Sequence, residues 1–157
     1  MHRCGIVLFC GILLTSMGCG GGAAEDYPDM GRVSGTVTLG GSPVSGASIA
    51  FQPTEVGGRA SSAMTDANGY YTLQYSANME GAKVGEHSVR ISTYQPEGPG
   101  EDGELVDAVP ETIPNQYNTK STLKQTVAQG SNTFDFELSA EGEIDKHEGE
   151  SYEDGDE

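Results

Sequence analysis

Between residues 32 and 139 apolar side chains recur at every second position and nowhere sustain a 3.6-residue period, which predicts short strands and no long helix. Val33, Gly35, Val37 and Leu39 share one face of a first strand, with Ser34, Thr36 and Thr38 on the other. Gly40-Gly41-Ser42-Pro43 reads as a turn. Ala47, Ile49 and Phe51 form the inward row of a second strand that stops at Pro53. Residues 60–65 make a third, weaker strand. Asp66-Ala67-Asn68-Gly69 is hairpin-turn chemistry, because Asn and Gly tolerate positive φ. Tyr71, Leu73 and Tyr75 then share a face over residues 70–75, and His87, Val89, Ile91 and Thr93 share a face of the fifth strand. Residues 122–127 place Leu123 and Val127 together. Residues 132–138 alternate most cleanly, with Phe134, Phe136 and Leu138 inward and Thr133, Asp135 and Glu137 outward. Seven such strands predict an all-β fold, a seven-stranded antiparallel β-sandwich over residues 32–139.

Composition supports this reading. The 157 residues include 23 glycines and no tryptophan, and Gly or Pro interrupts every stretch long enough to be a helix. The ends of the chain have a different character. Met1-His2-Arg3 is a basic start, residues 5–14 are apolar and uncharged, and small residues follow, the order of an export signal. The apolar run is too short to span a bilayer, which takes roughly 20 residues. Leu14-Thr15-Ser16-Met17-Gly18-Cys19 resembles the lipobox of bacterial lipoproteins, with Ser16 departing from the usual Leu. That predicts a signal over residues 1–19 ending at a lipidated Cys19, then a flexible tether over residues 20–31. The alternative is ordinary cleavage after Ala24 and secretion. Cys4 and Cys10 lie inside the signal, so the exported domain has no cysteine pair. Residues 140–157 carry nine carboxylates against one lysine, half of the formal net charge of −16, and read as a disordered acidic tail. The Gly-, Pro- and acid-rich stretch 95–112 reads as an exposed, mobile loop.

Three segments resemble a known family. Val33-Ser34-Gly35-Thr36-Val37, Pro43-Val44-Ser45-Gly46-Ala47 and Thr65-Asp66-Ala67-Asn68-Gly69-Tyr70-Tyr71-Thr72-Leu73 are similar to the carboxypeptidase regulatory-like domain. Its fold is transthyretin-like. The later segments Gly85-Glu86-His87-Ser88-Val89-Arg90-Ile91, Ile113-Pro114-Asn115-Gln116-Tyr117-Asn118 and Phe134-Asp135-Phe136-Glu137-Leu138 resemble small bacterial envelope lipoproteins carrying that domain. The resemblance implies a fold and is nearly silent on activity, because such domains serve as accessories, stalks and isolated lipoproteins.

The search for chemistry excludes most classes. Net negative charge repels phosphate backbones and argues against nucleic acid. There is no nucleophile elbow, phosphate loop or dinucleotide fingerprint. His147-Glu148-Gly149-Glu150 matches a zinc pair only formally, since no later histidine supplies a third ligand. Asp66 and Asn68 lack the further acids of a calcium loop and fit a turn. His87 has the parity of a core residue, and its rival role is that of a small hydrolase's base, aided by carboxylates of the 95–112 loop. The sequence therefore predicts no catalytic residues, no metal and no cofactor. It predicts a non-catalytic envelope module held to the membrane through Cys19, with an envelope protein or polysaccharide as its candidate partner.

Overall fold

The computed structural model describes residues 28–100 and 103–146. Cys19, Ala24, His2, His147 and the end of the acidic tail lie outside the described residues.

The alternation in residues 30–39 produces the longest strand, β1 (Met30–Leu39), with Gly31, Val33, Gly35 and Val37 buried and Arg32 exposed. Gly40 and Gly41, both left-handed at φ 57° and 84°, turn the chain into β2 (Ser42–Pro43). β3 (Ser48–Pro53) and β4 (Ser61–Met64) follow. The Asp66 turn leads to β5 (Tyr70–Thr72), β6 (Gln74–Ser76), β7 (Met79–Glu80) and β8 (Ala82–Lys83). β9 (Gly85–Ser92) is followed by the small hairpin of β10 (Gly98–Pro99) and β11 (Leu105–Val106). A 3-10 turn, Asn115–Tyr117, precedes β12 (Lys124–Val127), β13 (Gly130–Thr133) and β14 (Phe136–Leu138).

Two sheets, neither closed into a barrel, enclose one core. In the first, β1 is central. Its register with β8, β5 and β2 is antiparallel on one side, and with β13 and β14 it is parallel on the other. The second sheet runs β12-β9-β3-β4-β6-β7, antiparallel throughout. Val33, Val37, Tyr71, Phe136 and Leu138 of the first sheet meet Ile49, Phe51, Val89, Ile91 and Val127 of the second. Each such burial contributes roughly 1.5–3 kcal/mol.

The all-β class and the inward rows match the sequence reading, and four details differ. Residues 70–75 are two strands rather than one. Leu73 donates its N–H to the Val33 carbonyl (2.9 Å), and its own carbonyl accepts from Gly81 (2.7 Å). The chain changes sheets there, so Tyr75 is half-buried rather than a core residue. Residues 132–138 are also split, and they pair parallel to β1. Between the halves, Asp135 Oδ1 accepts the Thr36 N–H and hydroxyl, both at 2.8 Å, in place of a backbone carbonyl. The neighbouring Phe134 carbonyl accepts the Tyr71 hydroxyl at 2.8 Å.

The remaining differences concern segments expected to be mobile. Gln95 and Val109 exchange two backbone hydrogen bonds (3.0 and 2.9 Å), and the described part of the 95–112 excursion is a closed hairpin. Residues 141–146 of the acidic segment lie against the 3-10 turn. Asn115 donates its N–H to the Glu143 carbonyl (2.7 Å) and its amide to Asp145 Oδ1 (3.0 Å), while the Thr119 hydroxyl donates to Asp145 Oδ2. Lys120 pairs with Glu143 at 3.3 Å. The buried Asn115 thus contacts a segment whose described residues stay almost wholly exposed.

These pairings give the domain two poles about 30 Å apart, the length of a ten-residue strand. The near pole holds residues 29–31, where Asp29 accepts the Val84 N–H at 2.7 Å, together with the β12–β13 turn. The far pole holds the β1–β2 turn, the Asp66 turn, the 95–112 hairpin and the 141–146 strap.

Candidate functional site

His87 sits near the start of β9, between Pro53 of β3 and Gln125 of β12. Its side chain points inward, as its parity requires, and is 1% exposed. The ring centroid lies 6.0 Å from that of Phe51. Nδ1 is 3.0 Å from the Gly85 carbonyl, and Nε2 is buried without a hydrogen-bond partner. A neutral ring donating from Nδ1 fits this geometry. Burial pushes the imidazole below its ordinary value; the Gly85 carbonyl opposes that shift and the Lys83 charge adds to it. The placement is that of a core histidine, not of a base open to a pocket.

This placement has a pH consequence. A base whose folded value is depressed contributes stability above its ordinary value of about 6.5 and loses it as the pH falls toward the lower folded value. The loss is at most about 1.4 kcal/mol per pH unit for one proton. Urea unfolding at pH 7.5 and 5.5 should show that decline in the wild type and a flatter response in His87→Leu. Equal pH slopes in the two chains would mean that His87 is not the group responsible.

The other residues singled out from the sequence are spent on structure. Asp66 Oδ1 accepts the N–H groups of Asn68 (2.8 Å) and Tyr70 (2.9 Å), closing the hairpin. Gly69 takes φ 74° there, and a Cβ on it would lie 2.4 Å from the Val37 carbonyl oxygen. Lys83, Lys120 and Lys124 pair with Glu55, Glu143 and Glu86. Among the described residues, no group of three or more His, Cys, Asp or Glu is placed to hold a metal. No described helix is long and apolar enough to cross a membrane.

The 95–112 excursion, read from the sequence as a source of mobile carboxylates, instead buries one. Glu111 is 8% exposed. Its Oε1 accepts the Thr93 N–H and hydroxyl and the Ile113 N–H, each at 2.9 Å, and the Thr112 N–H at 3.1 Å. Its Oε2 accepts the Ser92 hydroxyl at 2.5 Å. Burial pushes the carboxyl up, but the donors from Ser92, Thr93 and Ile113 outweigh it and leave it below the ordinary carboxylate value. Glu111 thus closes the base of the hairpin. Nothing in the sequence distinguishes it from the acids around it. The hairpin exposes Leu105 and Val106, and beside it Leu39, Val44, Val109 and Pro110 line a depression of about 370 Å³ at the far pole.

The second open surface is the outer face of the first sheet where it adjoins β6 and β7 at the edge of the second. Three adjoining depressions, of about 490, 410 and 250 Å³, all include Arg32 of β1 and Glu80 of β7. Among the described residues, neither side chain enters an ion pair or a side-chain hydrogen bond. The smallest depression also includes Tyr70 and Thr72 of β5. Tyr70 is 46% exposed, and its hydroxyl accepts from Thr72 Oγ1 at 3.3 Å. Hydrogen bonds from Thr72 and then Ser34 lower its phenol value. The ring lies on an open polar face. No motif in the sequence singles out Arg32, Tyr70 and Glu80 as a group. An alternating strand marks a residue as outward but cannot tell which outward residues adjoin across strands.

No protein-family model and no curated protein matches the chain. A solved structure to which it is similar is a 9R-lipoxygenase from Cyanothece PCC8801, at 15% identity and TM-score 0.41. The match covers 71% of this chain and 16% of the lipoxygenase, a likeness too distant to carry an argument.

Proposed function

We infer that the chain is a non-catalytic module of the cell envelope, anchored through a diacylated Cys19 and displaying its β domain for binding. The two-pole arrangement carries this reading. The described chain enters at the near pole, where Asp29 is bonded to Val84, while the 95–112 hairpin and the 141–146 strap lie at the far pole. A lipid on Cys19 followed by a short glycine-rich tether would hold the near pole toward the membrane and leave the far pole and both outer sheet faces open. The transthyretin-like strand order belongs to the same reading. It is supported by the Gly35, Ala47 and Asp66–Gly69 positions, which fall on β1, before β3 and at the β4–β5 turn as the family pattern expects.

Metabolic labelling with an alkynyl fatty acid tests the anchor. The wild-type chain should take up label and Cys19→Ser should not; an unlabelled wild type, or label that persists in Cys19→Ser, refutes lipidation at this cysteine. In the alternative reading the chain is secreted after cleavage at Ala24, and mass spectrometry of the exported N-terminus separates the two.

A further inference from the structure

We propose that the outer face of the first sheet, with the adjoining edge strand β7 of the second, binds a neutral polysaccharide, with Tyr70 as the stacking platform and Arg32 and Glu80 as the hydrogen-bonding pair. The proposal deepens the reading of the chain as an envelope binding module by naming its ligand class.

The face has three properties that together select such a ligand. It is broad, since the three depressions share Arg32 and Glu80 and between them reach Asn78, Ser131 and Tyr70. It offers an exposed aromatic ring. Tyr70 is 46% exposed and has few side-chain torsions, so stacking a sugar ring on it loses little side-chain freedom. It also offers unused polar groups of both kinds. Arg32 brings guanidinium donors and Glu80 brings carboxylate acceptors, and neither is engaged by another side chain among the described residues. A sugar hydroxyl both donates and accepts, so an Arg–Glu pair satisfies it without a net charge on the ligand.

Charge decides between polymers. The chain carries a formal net charge of −16, which repels a polyanion over the whole surface. The face itself holds one cation and one anion, so nothing draws a polycation there rather than to the carboxylate-rich C-terminal segment. An uncharged, hydroxyl-rich chain meets neither objection. An apolar peptide would leave Arg32 and Glu80 buried without partners, which is costly.

Affinity electrophoresis of the full-length chain in detergent tests the proposal, with soluble starch, laminarin or galactomannan cast in the gel and polygalacturonate as the acidic control. At least one neutral polymer should retard the wild type. Tyr70→Ala should weaken that retardation about tenfold or more, and Arg32→Gln or Glu80→Gln about tenfold each. Arg90→Gln, on the exposed side of the second sheet, should behave as wild type. Circular-dichroism melting confirms that each variant is folded. Arg32 and Glu80 are exposed, so their substitutions read binding even if Tyr70→Ala disturbs the sheet. The proposal is overturned if none of the neutral polymers retards the wild type, if polygalacturonate alone does, or if folded Arg32 and Glu80 variants run unchanged. The gel needs no lipid on the chain, so its outcome is separate from that of the labelling experiment.

Discussion

Gly35→Ala is expected to abolish the folded state, a loss of more than about 4 kcal/mol. The reason lies in the break between β13 and β14. There the Phe134 carbonyl leaves the ladder and turns over the inward side of β1 to accept the Tyr71 hydroxyl. A Cβ on Gly35 would stand 1.9 Å from that oxygen and 2.6 Å from its carbon. Both are backbone atoms. They are held by the Phe134 N–H bond to Ser34 (2.9 Å) and by the Asp135 carboxylate on Thr36. Yielding would require the crossover to leave Tyr71, one of the largest fully buried side chains, with an unpaired hydroxyl. Gly41→Ala provides the contrast. A Cβ there meets nothing within 4 Å, so only the strain of its φ of 84° is felt, about 1 kcal/mol. Far-UV circular dichroism and thermal melting of both variants check the prediction. A Gly35→Ala chain melting within a few degrees of the wild type would show that the crossover yields.

Glu111→Ala is expected to lower stability by about 3 kcal/mol at pH 7. The substitution leaves the Ser92 hydroxyl and the N–H groups of Thr93 and Ile113 without their acceptor in a mostly buried place. Glu111→Gln keeps one acceptor oxygen in the same volume and should lose about half as much. The sign of the pH effect follows from the lowered carboxyl. Its stabilisation is present above the ordinary carboxylate value of about 4.3 and disappears as the pH falls through the lower folded value. The wild-type advantage over Glu111→Gln should therefore shrink between pH 5 and pH 3, as urea midpoints will show. This window lies below the one assigned to His87, so the two groups are separable in a single pH series. An advantage that persists undiminished at pH 3 would assign it to packing rather than to the ionised carboxylate.

Glu111 also shows what composition leaves out of residues 95–112. The stretch has the composition of a solvated linker, and composition weighs every acid equally. One acid among them meets five donors from both ends of the excursion, and that encounter orders the hairpin. The segment 141–146 repeats the lesson, since its order depends on Asn115, which lies 28 residues before Glu143. The candidate face was half legible. Arg32 falls on the outward row that Ser34 and Thr36 continue, whereas its meeting with Glu80 and Tyr70 required the strands to be laid side by side.

What the sequence determined by itself was local. Period two set the strands and the inward rows, so Val33, Val37, Ile49, Phe51, Val89, Ile91, Phe136 and Leu138 are buried where alternation placed them. Turn chemistry set the Asp66–Gly69 hairpin, because its carboxylate and its positive-φ glycine act within five residues. Tertiary structure alone decided which strands pair, that the last two run parallel to the first, where Leu73 changes sheets and which polar side chains meet. Strand pairing is a choice among partners far apart in the chain. Thr36 and Asp135 are separated by 99 positions, and only closure of the two sheets over one core brings them together.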